Sequence, residues 1–174
     1  LNHPNIIKLF DVFEDSCRFF TVIEYMPNGS LADKLQQGKP LSLERAVEIL
    51  KPIARALDHA HAKKLIHRDI KPSNILFTDE DEPVLSDFGL VKSLEARDSS
   101  TTGFGFGTPE YMSPEQIRGK EVTAAADIYA LGVVAFQMLT GQLPFPGSTP
   151  FDIQEGHVYK PVPNILELNP TLPA

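Results

Sequence analysis

Two short polar segments constrain this chain more than anything else in it. His67-Arg68-Asp69-Ile70-Lys71-Pro72-Ser73-Asn74 packs an imidazole, two cations, a carboxylate and an amide into one stretch. Asp87-Phe88-Gly89 adds a second carboxylate, after Ile75-Leu76-Phe77 and Val84-Leu85, which read as two short strands. A fold that accommodates this pattern brings Asp69, Lys71, Asn74 and Asp87 around one point. Taken singly, an Asp is most often a turn or cap residue. The neighbours are what set Asp69 apart.

Around these segments the pattern is mostly helical. Ile6 to Phe13 and Arg18 to Tyr25 read as two antiparallel strands joined at Asp15-Ser16. Pro27-Asn28-Gly29-Ser30 is a turn, and Ser30 suits the N-cap of a short helix through Gln37. A long helix follows from about Ser42 to Lys63, with Ala46, Ile49, Leu50, Ile53, Leu57 and Ala60 at helical spacing. Pro52 removes the backbone bond to Glu48, so a kink is expected there. Lys63 and Lys64 suit the negative end of this helix. From Asp87 to Glu115 the chain reads as loop, with Ser, Thr and Gly concentrated at 98–107. A helix apolar on nearly every side spans Thr123 to Thr140 and ends near Gly141, which marks the centre of a domain. Beyond Leu143 prolines gather, and one further helix is expected around Phe151 to Gly156.

Composition excludes several classes. The 174 residues, 42% hydrophobic and 22% charged, suit one soluble globular domain. Sixteen basic against 23 acidic residues give a net charge of −7, which argues against a nucleic-acid partner. Cys17 is the single cysteine, so there is no internal disulfide or cysteine zinc site, and a reducing compartment is compatible. Leu1-Asn2-His3-Pro4 lacks the marks of a signal peptide. The stretch Ala124 to Leu139 is too short for a membrane segment and contains Asp127 and Gln137. His59 and His61 are two apart, face different ways on a helix and read as surface or packing residues. Gly103-Phe104-Gly105-Phe106-Gly107 lacks the third glycine of a nucleotide loop and reads as a source of loop flexibility.

With Ile70 in the leucine position, the two opening segments match the H-R-D-L-x-x-x-N and D-F-G signatures. In order and spacing the chain resembles a serine/threonine protein kinase, and its wording is nearest to bacterial kinases of the eukaryotic type. The resemblance implies an α+β, protein-kinase-like fold: residues 1–26 as the end of the N-terminal lobe and the hinge, residues 27–174 as the helical C-terminal lobe. It implies transfer of the γ-phosphoryl group of ATP to protein Ser or Thr hydroxyls, with Mg²⁺, or alternatively Mn²⁺, as cofactor. The partners implied are ATP, a protein substrate and a second copy for phosphorylation of the activation loop. The location implied is cytoplasmic, in a full-length protein that is often anchored to a membrane.

Carried over by motif position, Asp69 accepts the proton of the substrate hydroxyl and Lys71 neutralises charge on the moving phosphoryl group. Asn74 and Asp87 hold the metal through oxygen atoms. Thr108, in Gly107-Thr108-Pro109-Glu110-Tyr111, bonds near Asp69 and Lys71, and with Lys71 marks the serine/threonine branch. Ile23-Glu24-Tyr25-Met26 corresponds to the gatekeeper and hinge, and Leu76 to the floor beneath adenine; otherwise these are ordinary strand and core residues. Arg68 pairs with a loop phosphate on Ser99, Ser100, Thr101 or Thr102, although hydroxyls in polar loops are ordinarily just solvated. His67 and Phe88 are structural. Ser113-Pro114-Glu115 replaces Ala-Pro-Glu, and no arginine after Arg118 is available to pair with Glu115. Asp127 corresponds to an aspartate that holds the catalytic-loop backbone; the alternative is a partly exposed Asp in the first turn of a helix.

The same resemblance implies missing parts. No glycine-rich phosphate loop precedes Ile6, and the lysine that grips the α- and β-phosphates is absent with its glutamate. The chain is therefore expected to start mid-domain, to stop before the last helices at an uncapped Lys160–Pro163 segment, and to have little activity alone. Lys64 stands where relatives often have Gly; in a left-handed conformation it costs about 1 kcal/mol. The rival reading is a pseudokinase or truncated-lobe scaffold, against which the intact Asp69, Lys71, Asn74 and Asp87 speak. A metal-dependent hydrolase using Asp69 and Asp87 has no motif of its own.

Overall fold

The computed structural model describes residues 1–15, 18–36, 38–88 and 108–173. The chain begins with an antiparallel ribbon, β1 (Leu9–Asp15) and β2 (Arg18–Ile23), in which Val12 faces Thr21 and Phe13 faces Phe20. β1 is exposed along its length, and the Phe13 and Phe20 rings stack at 5.3 Å. Residues before β1 return to the body: Ile6 bridges Leu85 in parallel, and Leu85 N–H donates to Asn5 O at 2.9 Å. A second hairpin, β3 (Ile75–Phe77) and β4 (Pro83–Leu85), is buried.

The helices follow from local chemistry. Ser30 caps α1 (Leu31–Leu35) in a reciprocal box with Asp33, and Ser42 caps α2 (Leu43–Ala62) by accepting from Arg45 N–H. Pro52 lies within α2, and the helix continues through it. Its apolar stripe is sealed: Ile49, Ile53, Ala56, Leu57 and Ala60 have no exposed surface. Each fully buried Ile or Leu contributes roughly 1.5–3 kcal/mol, so this stripe sets the layer onto which the rest packs. Opposite lies α4 (Ala124–Thr140), presenting Ala130, Val134 and Met138 to the same core as Ile49, Ile53, Leu57, Ile70, Ile75, Phe77 and Leu85. Ile70, next to Asp69, is thus a core residue, which anchors its loop to the helices.

Three expectations need correction. The Asp87–Glu115 stretch is not plain loop at its end: Pro109–Tyr111 forms a 3₁₀ turn and α3 begins within it, spanning Pro114–Ile117. Ser113-Pro114-Glu115-Gln116 is a capping box with Pro in the first turn, a signal that was present in the sequence. The helix near Phe151 is longer, α5 (Pro150–Tyr159), because Thr149 and Asp152 cap it reciprocally. The segment after Lys160 carries a short α6 (Ile165–Leu168) with Asn164 as its cap. The helix Ala124–Thr140 is largely buried, with Ile128 half exposed. Lys64 does adopt the left-handed conformation, φ 61°.

Gly141 ends α4 at φ 73°, and a Cβ there would meet Gly38 O at 2.2 Å. Gly119, at φ 62°, has open space around the same position. Gly141→Ala is expected to lower stability by more than about 2 kcal/mol, since a backbone clash adds to the left-handed cost, and Gly119→Ala by about 1 kcal/mol. Urea unfolding of the two variants side by side checks the difference.

Candidate active site

The β3–β4 hairpin brings the two polar segments together. Ser86, just past β4, donates its N–H to Asn74 O at 2.9 Å and its hydroxyl to the same oxygen at 3.2 Å. Asp87, the next residue, is thereby held beside the 3₁₀ turn Pro72–Asn74. Its backbone is left-handed, φ 56°, and it is exposed. Asn74 is buried and spends its amide nitrogen on Asp69, donating to the backbone carbonyl at 2.8 Å and to Oδ2 at 3.3 Å. Its Oδ1 is the atom that remains for a cation. Lys71 Nζ lies 3.1 Å from Asp69 Oδ2 and donates to Thr108 Oγ1, also at 3.1 Å. Asp69, Lys71, Asn74 and Thr108 are therefore one connected group, with Asp87 tied to it through Ser86. A cleft of about 320 Å³ opens beside Lys71 and Thr108, bordered by Leu35, Gln36, Tyr111 and Gln137.

The loop that carries Asp69 hangs on a single buried carboxylate. Asp127, in the first turn of α4 and 1% exposed, accepts the His67 N–H at 2.9 Å on Oδ2 and the Arg68 N–H at 2.8 Å on Oδ1. His61 Nε2 donates to Oδ2 at 2.7 Å. His61 is thus not merely a surface or packing residue: it ties the end of α2 to the same carboxylate. The sequence held a clue, since His61 is four residues after Leu57 on the buried stripe, where a polar side chain needs a partner. The two backbone bonds on Asp127 fix the peptide planes on either side of His67, and Arg68 directly after them is left-handed at φ 68°, a conformation that costs a non-glycine residue about 1–2 kcal/mol.

His67 is fully buried and its two ring nitrogens are distinguished by their partners. Nε2 faces the Ser86 carbonyl at 2.7 Å and must carry the proton; Nδ1 then accepts the Asp69 N–H at 3.3 Å. Burial pushes its pKa below the usual value, with the Ser86 bond and the nearby carboxylates opposing. The Phe88 ring lies 4.6 Å from the imidazole, and Phe88 packs on the core.

Other expected site residues lie apart from this group. Ile23 ends β2; Glu24 donates its N–H to Lys8 O and pairs with Lys8 Nζ at 3.2 Å. Tyr25 is 84% exposed, Met26 is half-buried, and Leu76 sits in β3 bridged to Ser30. Arg68 is exposed. Ser99, Ser100, Thr101 and Thr102 lie outside the described residues. Glu115 makes no ion pair among the described residues, and its charge helps burial raise Tyr129 to a pKa of about 12. Among the described residues no three His, Cys, Asp or Glu side chains form a metal cluster, so a cation held by Asn74 and Asp87 would need further oxygens, as from a nucleotide.

A family model described as the protein kinase domain matches residues 1–171. The chain belongs to the protein kinase family. Its α+β architecture of helices with two small sheets is that of a protein kinase domain. It is 39% identical over 173 residues to the probable serine/threonine-protein kinase PknB of Lactococcus lactis, covering 99% of this chain and 28% of that protein. It is 36% identical over 173 residues to the serine/threonine-protein kinase PrkC of Bacillus subtilis, with 99% and 27% covered. The serine/threonine-protein kinase PknA of Mycobacterium tuberculosis is 36% identical over 178 residues, with 99% and 41% covered. The chain thus spans well under half the length of these kinases. None of these names favours the scaffold alternative. No helix among the described residues is long and apolar enough to cross a membrane.

Asp127→Asn leaves a backbone N–H facing an amide nitrogen and weakens the His61 bond, so it is expected to destabilise the domain by about 3 kcal/mol. Denaturant titration reads this directly. Stability should also fall with acid. His67 and His157, the latter buried against Phe145 with Tyr129 OH at 2.7 Å from Nδ1, both have pKa values pushed below 6.5 by burial. The unfolded chain takes up protons near 6.5 and the folded one does not, so stability present above that pH is lost progressively below it. A melting temperature several degrees lower at pH 5 than at pH 7.5 is expected; a flat profile would show that these rings are not held neutral.

Proposed function

We propose that the protein carrying this chain transfers the γ-phosphoryl group of ATP to serine or threonine hydroxyls of a protein. One observation carries the reading: the Asp69 carboxylate sits between the Lys71 ammonium at 3.1 Å and the Asn74 amide at 3.3 Å, on a loop tied to the core. Phosphoryl transfer asks for positioning and charge compensation more than for covalent chemistry. Asp69 would orient the acceptor hydroxyl and take its proton late in transfer. Lys71, already within reach of Asp69, would offset charge on the phosphoryl oxygens, and Thr108 keeps its ammonium in place.

Asn74 Oδ1 and the exposed Asp87 carboxylate would hold Mg²⁺, or Mn²⁺ in its place, which when bound neutralises the nucleotide phosphates. The donor set fits: both are oxygens, and the Asn74 nitrogen is already occupied. The cleft beside Lys71 and Thr108 would take the segment of the substrate that flanks its hydroxyl. Adenine would lie on Leu76 against the backbone of Ile23, Glu24, Tyr25 and Met26. We read residues 1–26 as the end of an N-terminal lobe with its hinge, and 27–174 as the C-terminal lobe. Arg68, exposed beside Asp69, would receive a phosphate on the 99–102 hydroxyls, placed there by a second copy of the protein. We place the catalytic domain in the cytoplasm, where ATP is supplied.

In the full-length protein, Asp69→Asn is expected to lower turnover about 10²- to 10⁴-fold. The assay is transfer from γ-labelled ATP with Mg²⁺, and undiminished turnover would remove Asp69 from this role.

A further inference from the structure

The peptide plane that leads into Asp69 is gripped on both edges. Its N–H, belonging to Asp69, donates to His67 Nδ1 at 3.3 Å. Its carbonyl, belonging to Arg68, accepts from Gln116 Nε2 at 3.2 Å. Arg68 is left-handed at φ 68°, and such a residue keeps its conformation only where its surroundings over-determine it. The bond from Asp127 to the Arg68 N–H fixes the preceding plane, not this one. Gln116 reaches the carbonyl from α3, outside the loop that carries Asp69.

The orientation of the Gln116 amide is itself determined. Its Oε1 accepts the Ser113 N–H at 3.0 Å and the Ser113 hydroxyl at 3.1 Å, which leaves Nε2 to face Arg68. Ser113 has no exposed surface, so neither of its donors is free to turn to water. The serine in place of alanine therefore adds a second donor that holds the Gln116 oxygen inward. Ser113, Gln116 and the Arg68 carbonyl form one chain of hydrogen bonds that ends on the plane next to Asp69.

We propose that Gln116 is a positioning residue for phosphoryl transfer, locking the Arg68–Asp69 peptide plane and with it the direction of the Asp69 carboxylate. The proposal rests on the reading of Asp69 as the proton acceptor. Small errors in the placement of a catalytic group cost large factors in rate, so a loosened plane should appear in turnover and not in binding.

Two variants separate positioning from helix capping. Gln116→Glu keeps an oxygen for Ser113, and Glu serves a capping box as well as Gln does, but it has no donor for Arg68. Gln116→Met loses both contacts. The measurements use the full-length protein with ATP, Mg²⁺ and dephosphorylated casein as acceptor. Both variants should lose about tenfold in kcat, with KM for ATP and casein within about twofold of the parent. Gln116→Glu should keep the parental melting temperature, and the Asp69 amide should exchange hydrogen faster in both. A folded Gln116→Glu with kcat within about twofold of the parent overturns the proposal. So does a loss confined to Gln116→Met and accompanied by a lower melting temperature, which would make Gln116 a helix cap only. A parent that transfers no phosphate defeats the kinase reading instead. The Asp69 amide then decides by itself: faster exchange in Gln116→Glu supports the clamp, and unchanged exchange overturns it.

Discussion

The Asp127 carboxylate is the interaction on which the rest depends. It takes N–H donors from His67, Arg68 and His61 and thereby joins the first turn of α4, the end of α2 and the loop that carries Asp69. A carboxylate with 1% exposure is tolerable only because donors surround it. The arrangement works in both directions: the donors keep the charge buried, and the charge anchors the loop backbone at His67 and Arg68. The loop that carries Asp69 is therefore part of the core in two ways, through the hydrogen bonds on Asp127 and through the side chain of Ile70.

The hairpin β3–β4 plays a smaller but similar part. It is too short to be a sheet of consequence, yet it returns the chain so that Ser86 closes on Asn74 with two hydrogen bonds. The two residues read as cation holders, Asn74 and Asp87, thus sit on one unit of short strands and tight contacts. Their separation is set locally, independent of how the ribbon β1–β2 lies.

Much of this was legible in the sequence because it is written locally. Caps such as Ser30 and Ser42 and the glycine after α4 act within a turn of where they stand, and the α2 stripe repeats at a period that only a helix explains. The first opening motif places Asp69, Lys71 and Asn74 within six residues of one another, so loop geometry alone brings them close. What escaped depends on distance along the chain. His61 and Asp127 are 66 positions apart, and Gln116 and Arg68 are 48 apart; no periodicity connects them. The short helices after Thr108 were missed for a different reason. Runs rich in Pro and Gly look like loops until the capping box of Ser113 and Gln116 is recognised.

Arg68 and Asp87, the two left-handed residues beside the reactive group, put its needs at odds with those of the fold. Glycine would relax either backbone position, and asparagine the one at Arg68, since both tolerate that conformation better than arginine does. A search for the most heat-resistant version of this domain, by selection or by computation, would therefore be drawn to these two positions early. Each gain in robustness there would remove a charge to which the proposed function gives a part, Arg68 in receiving the loop phosphate and Asp87 in holding the cation. If the proposed roles hold, the left-handed backbone there is a cost in endurance that the reaction imposes on the fold.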